Sequence, residues 1–261
     1  MTAAFLNRVG RRLLGAVVFG AALGIWEAWA RSEPSFLFPP VTAVLERAWQ
    51  VWPTTDFLTS VAASLERLAA GYALGAGIGI AAGLLMGSLR AARRTLEPLV
   101  EFLRAVPPVA IVPAVIVVLG LGNGMRIAVI AFAVCFPVLV NTVEGVRAVA
   151  PETRDTAAML HLGLAETIFR IYLPAALPSI VAGLRVALSI GVIMVVISEF
   201  VGASDGIGHY ILFQQSQFNV PEMYGGILFL GLLGYVLNRL FLLVEDHLLS
   251  WHFRAAGEPT R

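Results

Sequence analysis

The sequence predicts an all-α, polytopic membrane protein: six transmembrane helices, with a cytoplasmic helical hairpin between the fourth and the fifth. Three observations predict it. Hydrophobic residues make up 58% of the 261 positions and charged residues 13%, with mean hydropathy +0.83; soluble domains carry about 25% charged residues. Six apolar stretches reach the ~20 residues that cross a ~30 Å hydrocarbon layer. The arginines fall mostly on one side of those stretches.

The spans lie at about 13–30, 68–89, 98–119, 125–148, 175–201 and 224–248, within one transmembrane domain, 13–248. Residues 1–12 form the N-terminus and 249–261 the tail. Arg8, Arg11 and Arg12 precede the first stretch, which is long for a signal-peptide core and lacks a clear cleavage motif, so it is read as a retained span. Arg90, Arg93 and Arg94 follow the second span, Arg147, Arg154 and Arg170 bracket the hairpin, and Arg254 and Arg261 close the chain. By the positive-inside rule both termini and the hairpin are cytoplasmic, in a bacterial or archaeal cytoplasmic membrane. All 18 basic residues are arginine; nothing in the chemistry explains this.

Between the first two spans, Phe36 to Pro40 reads as an extended strip. Val41 to Trp52 has the spacing of an interfacial helix carrying Trp49 and Trp52. The second span repeats glycine at 71, 75, 79, 83 and 87. Small residues at this interval admit another helix closely, either inside the subunit or between subunits.

The third span contains Pro107, Pro108 and Pro113, which must bend or break it. Broken helices persist in membranes where protein or a water-filled cavity covers the freed backbone. Pro107 and Pro108 are therefore candidate pathway residues, against the alternative of a buried kink. In the fourth span Asn141 is a second candidate, able to bond a neighbouring helix, and Glu144 with Arg147 reads as an i, i+3 ion pair. In the fifth, Arg185 lies near enough to the inner surface to snorkel. Glu199, near the outer end, either lines the pathway or pairs within the fold. No positive residue reads as mid-membrane.

Residues 151–174 are too often interrupted by charge to be a span. Pro151 suits a first helical position, and Glu152 and Asp155 complement the helix dipole. Two short helices are expected, broken near His161-Leu162-Gly163, with the second ended by Pro174. The apolar face of the first, including Ala158, Met159 and Leu162, either packs on the chain's own inner surface or needs a partner's groove.

Several chemistries lack support. No G-x-x-x-x-G-K-[ST] phosphate loop is present, so the chain is not expected to bind ATP itself. The histidines at 161, 209, 247 and 252 lack the spacing of a zinc hydrolase, and the glycine-rich GASDGIGHY reads as an outer loop. Cys135 stands alone, which rules out an intramolecular disulfide. No catalytic, cofactor or metal site is expected.

Anchored on Ile171-Tyr172-Leu173-Pro174, the hairpin resembles the EAA loop of binding-protein-dependent ABC importer permeases. Asp155 takes the acidic position, Thr156 and Ala157 the alanines, and His161 stands where the family has glycine. Either His161 or Gly163 can make the turn. Other stretches, including LFPPVTAVL, SLERLAAGYALGAGIGIAAGLLMG, FPVLVNTVEGVRAV and LPAALPSIVAGLRVALSIGVIMVVISEFVGASDGIG, are similar to successive landmarks of the nitrate/sulfonate/taurine-type subfamily. The resemblance implies a permease homodimer in lipid, two cytosolic ATPase subunits that carry ATP and Mg, and a periplasmic or lipid-anchored solute-binding protein. Nucleic acid is not implied.

On this resemblance Asp155, Ala157, His161, Leu173 and Pro174 inherit the coupling role, and Ala158, Met159, Leu162 and Gly163 join them as the face and turn of the hairpin. It implies a small solute, an anion such as sulfonate, nitrate, taurine or bicarbonate, with a pyrimidine-type precursor as the alternative. A stand-alone channel or secondary carrier, or a membrane hydrolase, has less in its favour.

Overall fold

The computed structural model describes residues 2–33 and 35–249, leaving side chains at 2–13, 16 and 158 undescribed. The predicted tail from 250, with Arg254 and Arg261, and the side chains of Arg8, Arg11, Arg12 and Ala158 lie outside that description. The described residues are helical apart from short connections and an isolated bridge between Ser35 and Phe38. That bridge turns the predicted Phe36–Pro40 strip back on itself, because Ser35 Oγ and its carbonyl accept from the Leu37 and Phe38 N–H groups.

The helices are α1 (Thr2–Ser32), α2 (Val41–Val51), α3 (Thr55–Ser88), α4 (Arg90–Ala105), α5 (Val112–Leu119), α6 (Asn123–Arg147), α7 (Pro151–Met159), α8 (Leu164–Thr167), α9 (Leu173–Phe200), α10 (Ile207–Ser216) and α11 (Val220–Leu248). Among the described residues, four helical stretches are long and apolar enough to cross a bilayer: Thr55–Ser88, Asn123–Arg147, Leu164–Phe200 and Val220–Leu248. A fifth exists if the pair Arg90–Ala105 and Pro108–Leu119 counts as one broken span.

The third span is broken at its prolines, as expected, but its start is corrected: α4 begins at Arg90 rather than Pro98, runs through Pro98, and meets the next segment at 91°. Val106 is extended before Pro107, as the residue before a proline prefers, and a 3₁₀ turn at Pro108–Ile111 leads into α5. At ~1.5 Å per residue, the eight residues of α5 reach only ~12 Å. The loop reading of GASDGIGHY is also corrected: its last four residues, from Ile207, open α10.

The chain divides into two compact units. One comprises Met1–Leu58 and Tyr210–Leu230. In it α2 buries Val44 and Ala48, and Gly225 lies 3.7 Å from the Ala48 backbone, measured from where a Cβ would stand. Trp52 Nε1 donates to the Gly225 carbonyl at 3.3 Å. Phe57, 1% exposed, packs edge-on against Tyr210 and Phe229 at 5.0 and 4.9 Å. Trp49 is 83% exposed.

The other unit comprises Thr59–His209 and Gly231–Arg261. Here α6 is the central rod. A Cβ on Gly71, Gly79, Gly83 or Gly87 of α3 would come within 2.7 Å of Ile130, Cys135, Thr142 or Val146, and one on Gly75 would strike the Ala131 carbonyl. The glycine stripe therefore packs within one subunit, the first of its two sequence readings, and brings two backbones together. On the other flank Gly145 abuts Ala176 and Ser179, and Gly183 abuts Asn141 and the Pro137 carbonyl, which packs α9 on α6. Leu84, Val146, Ala176 and Ile180, from all three helices, form a buried cluster.

Candidate coupling hairpin and membrane site

The hairpin begins where α6 ends. Arg154 donates to the carbonyls of Val146 and Arg147, at 3.1 and 2.8 Å, adding a side-chain donor at the α6 C-terminus and tying α7 to it. Ala157 is 4% exposed, so one face of α7 is seated on its own subunit. The helix ends in a Schellman turn: Leu160 N–H donates to Thr156, and Leu162 N–H reaches back to Ala157 at 3.2 Å. The left-handed residue of that turn is His161, φ 49°, while Gly163 is extended at φ −64°. Of the two turn candidates, His161 is the one used.

Past the turn, the expected second short helix is corrected. Pro174 does not end it. The chain runs helically from Leu164 to Phe200, with one wide turn at Ile168–Tyr172 in which Leu173 N–H bonds Ile168. The extra residue in that turn relieves the clash a proline ring makes with the carbonyl four residues earlier, so Pro174 is accommodated. Ile168, Tyr172 and Leu173 pack against the Leu84–Val146–Ala176–Ile180 cluster. The hairpin is thus rooted in α3, α6 and α9 together.

Four of its large apolar side chains are uncovered. Met159 is 78% exposed, Leu160 66%, Leu164 50% and Phe169 66%. Asp155, His161, Gly163 and Pro174 are exposed, and Leu162 is half-buried. Beside the second limb, Leu164, Ile168 and Phe169 face Ile80, Ala81 and Leu84 of α3 across an apolar cavity of about 530 Å³.

The candidate pathway residues are not brought together. Pro107 is exposed at the α4 break and Pro108 half-buried. Asn141 Nδ2 donates to the Pro137 carbonyl of its own helix at 2.8 Å, rather than to a neighbouring one. Glu199 is 1% exposed and takes the intramolecular alternative. Its carboxylate accepts from Ser64 Oγ, Arg67 Nη1 at 2.8 Å and the Gly208 N–H at 2.9 Å. Ser64 Oγ in turn accepts from Ile207 N–H, and Arg67 also bonds Asn123 and Asp205. Arg126 donates to the Gly202 carbonyl at 2.9 Å.

Arg67, one residue before the predicted second span, is thus 3% exposed within α3. A signal was available: Ser64, Arg67 and Gly71 share one helical face, so whatever meets the glycines also buries the arginine. Two smaller readings change as well. Arg185 stands 3.8 Å from Glu245 instead of snorkelling alone. Glu144 and Arg147 are not among the ion pairs of the described residues, and instead line a cavity of about 140 Å³ with Glu101 and Arg104. Arg239, which the sequence reading did not single out, lies within α11.

Residues 75–251, which contain the hairpin, α6, α9 and the second part of α3, match the family described as the binding-protein-dependent transport system inner membrane component. The chain belongs to that family. The permease is 33% identical over 188 residues to the putative aliphatic sulfonates transport permease protein SsuC of Bacillus subtilis, covering 72% of this chain and 68% of the relative. It is 31% identical over 226 residues to the bicarbonate transport system permease protein CmpB of Synechococcus elongatus, covering 82% and 81%. These relatives place the permease in the nitrate/sulfonate/taurine-type subfamily. A chain in the crystal structure of a bacterial alginate ABC transporter, in complex with an alginate pentasaccharide-bound periplasmic protein, shares its fold: TM-score 0.60 over 94% of this chain and 96% of that one, at 15% identity. The permease is accordingly a multi-pass inner-membrane subunit of an ABC importer.

Proposed function

We propose that the permease imports a small oxyanion, with sulfonate and bicarbonate as the first candidates, and that a cytosolic ATPase drives it through the 151–174 hairpin. One observation carries the coupling role. The hairpin exposes Met159, Leu160, Leu164 and Phe169, while its base, Ala157, Ile168 and Leu173, is seated in the permease's own packing. An apolar tip on a rooted stem has the form of a helix that fills a partner's groove. The solute class rests on the relatives named for aliphatic sulfonates and for bicarbonate.

In this reading two permease copies meet two ATPases, and a solute-binding protein delivers cargo from the opposite face, where the positive-inside rule puts the 202–223 segment. All six predicted stretches cross the membrane, with the α4–α5 break as the fifth crossing beyond the four continuous ones and α1 as the sixth. Closure of the ATPases moves the paired hairpins. Because each hairpin is rooted in α3, α6 and α9, these helices tilt as a body and switch the pathway between two states. Co-reconstitution of the permease, its ATPase and its binding protein in proteoliposomes tests this. Oxyanion-stimulated ATP hydrolysis with uptake is expected; uptake that proceeds without ATP would overturn it.

A further inference from the structure

Six arginines lie on the four long apolar helical stretches. Arg67 faces Glu199, Arg170 faces Glu166 and Arg185 faces Glu245. Arg126 and Arg147 occupy the first and last turns of α6. Arg239 differs from all five. It lies roughly 13 Å inside the Leu248 end of α11 at ~1.5 Å per residue, too deep to count as a helix terminus, and no carboxylate pairs with it among the described residues.

Its guanidinium is held on one side by Tyr235 and is exposed on the other. Arg239 projects from an exposed apolar face of α11 that includes Leu232, Val236, Leu240 and Leu243. The side chain is held: Nε donates to Tyr235 Oη at 3.1 Å, and the guanidinium carbon stands 5.5 Å from the centre of the Tyr235 ring. Tyr235 lies one turn earlier, on the side away from Leu248, where a helical side chain at 239 leans. With Nε engaged, both terminal nitrogens of the guanidinium remain as a fork of N–H donors, the geometry that pairs two oxygens of one anion at once. A charge at this depth persists when it meets a counter-charge or a polar cavity.

We infer that Arg239, positioned by Tyr235, forms an oxyanion-binding site on the outward face of α11. The chemistry required of the occupant is a compact anion presenting two oxygens in one plane. A dissolved sulfonate and a lipid phosphate both meet it, and the choice of a transported occupant rests on the import reading above.

The test uses the full-length permease alone, in nanodiscs, so it stands apart from whether ATP-driven uptake occurs. In discs of the neutral, phosphate-free lipid digalactosyldiacylglycerol, methanesulfonate should raise the thermal unfolding midpoint, and the uncharged dimethyl sulfone should not; this outcome assigns a dissolved oxyanion. A rise seen only on exchange into phosphatidylglycerol discs assigns a headgroup phosphate. Arg239→Gln should abolish whichever shift the wild type shows. Arg239→Lys, which keeps charge without the fork, should weaken apparent affinity about tenfold; if Arg239→Gln does not fold, this variant and Tyr235→Phe, which frees Nε, carry the comparison. An unchanged shift in the variants, or no shift in the wild type from either source, overturns the site. Loss of dimer in Arg239→Gln without any anion effect overturns it in favour of a contact between copies.

Discussion

Arg67 Nη1 donates to Glu199 Oε1 at 2.8 Å, across two helices far apart in sequence, with 3% and 0% of the two side chains exposed. A buried pair of this kind contributes little relative to an apolar pair of the same shape, yet breaking it leaves a charge stranded. Arg67→Met alone should therefore destabilise the permease by ~3–5 kcal/mol, and Glu199→Leu by a similar amount. The double variant should recover a large part of that loss. Thermal unfolding in detergent measures the cycle, and additive losses would contradict the pairing.

The glycine stripe predicts a position-dependent response. Gly75→Ala pushes a methyl against the Ala131 backbone, which cannot swing aside. It should cost ~1–3 kcal/mol as an overpacked site. Gly77→Ala meets nothing within 4 Å and should be neutral or slightly stabilising, since it removes helical glycine. Equal midpoints for the two variants would argue against the α3–α6 contact.

His161 occupies a left-handed position, so His161→Gly should stabilise α7 by up to ~1 kcal/mol while leaving ATPase capture intact. His161→Val adds β-branching at positive φ and should loosen the turn. Amide exchange at Leu160 and Leu162, whose N–H groups close the turn, reads both outcomes.

Two neighbouring hairpin residues should fail in different ways. Met159→Asp charges a side chain that is 78% exposed and should abolish co-purification with the ATPase without lowering the thermal midpoint. Ala157→Asp places a carboxylate where 4% of the residue is exposed and should lower the midpoint itself. If Met159→Asp still copurifies the ATPase, docking does not use this tip.

The α4–α5 break shows how far local sequence reaches. Pro107 and Pro108 stood plainly in the sequence as breakers, because proline acts through its own ring and missing N–H. The 91° between the segments, and the start of α4 at Arg90 rather than Pro98, were not legible, since an angle depends on what each segment packs against. Pro174 gave the opposite result: the same local rule predicted a stop, and a wide turn absorbed it.

By itself the sequence determined the helical class, the apolar stretches, the small-residue face of α3 and the hairpin that carries the family resemblance. All of these follow from composition and spacing along one chain. The tertiary structure decided which helix the glycines meet, that His161 and not Gly163 turns the hairpin, that Glu199 is closed in by Ser64 and Arg67, and that Arg239 faces outward with Tyr235. The physical reason is that burial and charge pairing belong to contacts between distant segments, and one-dimensional spacing fixes which residues share a face without naming what that face will touch.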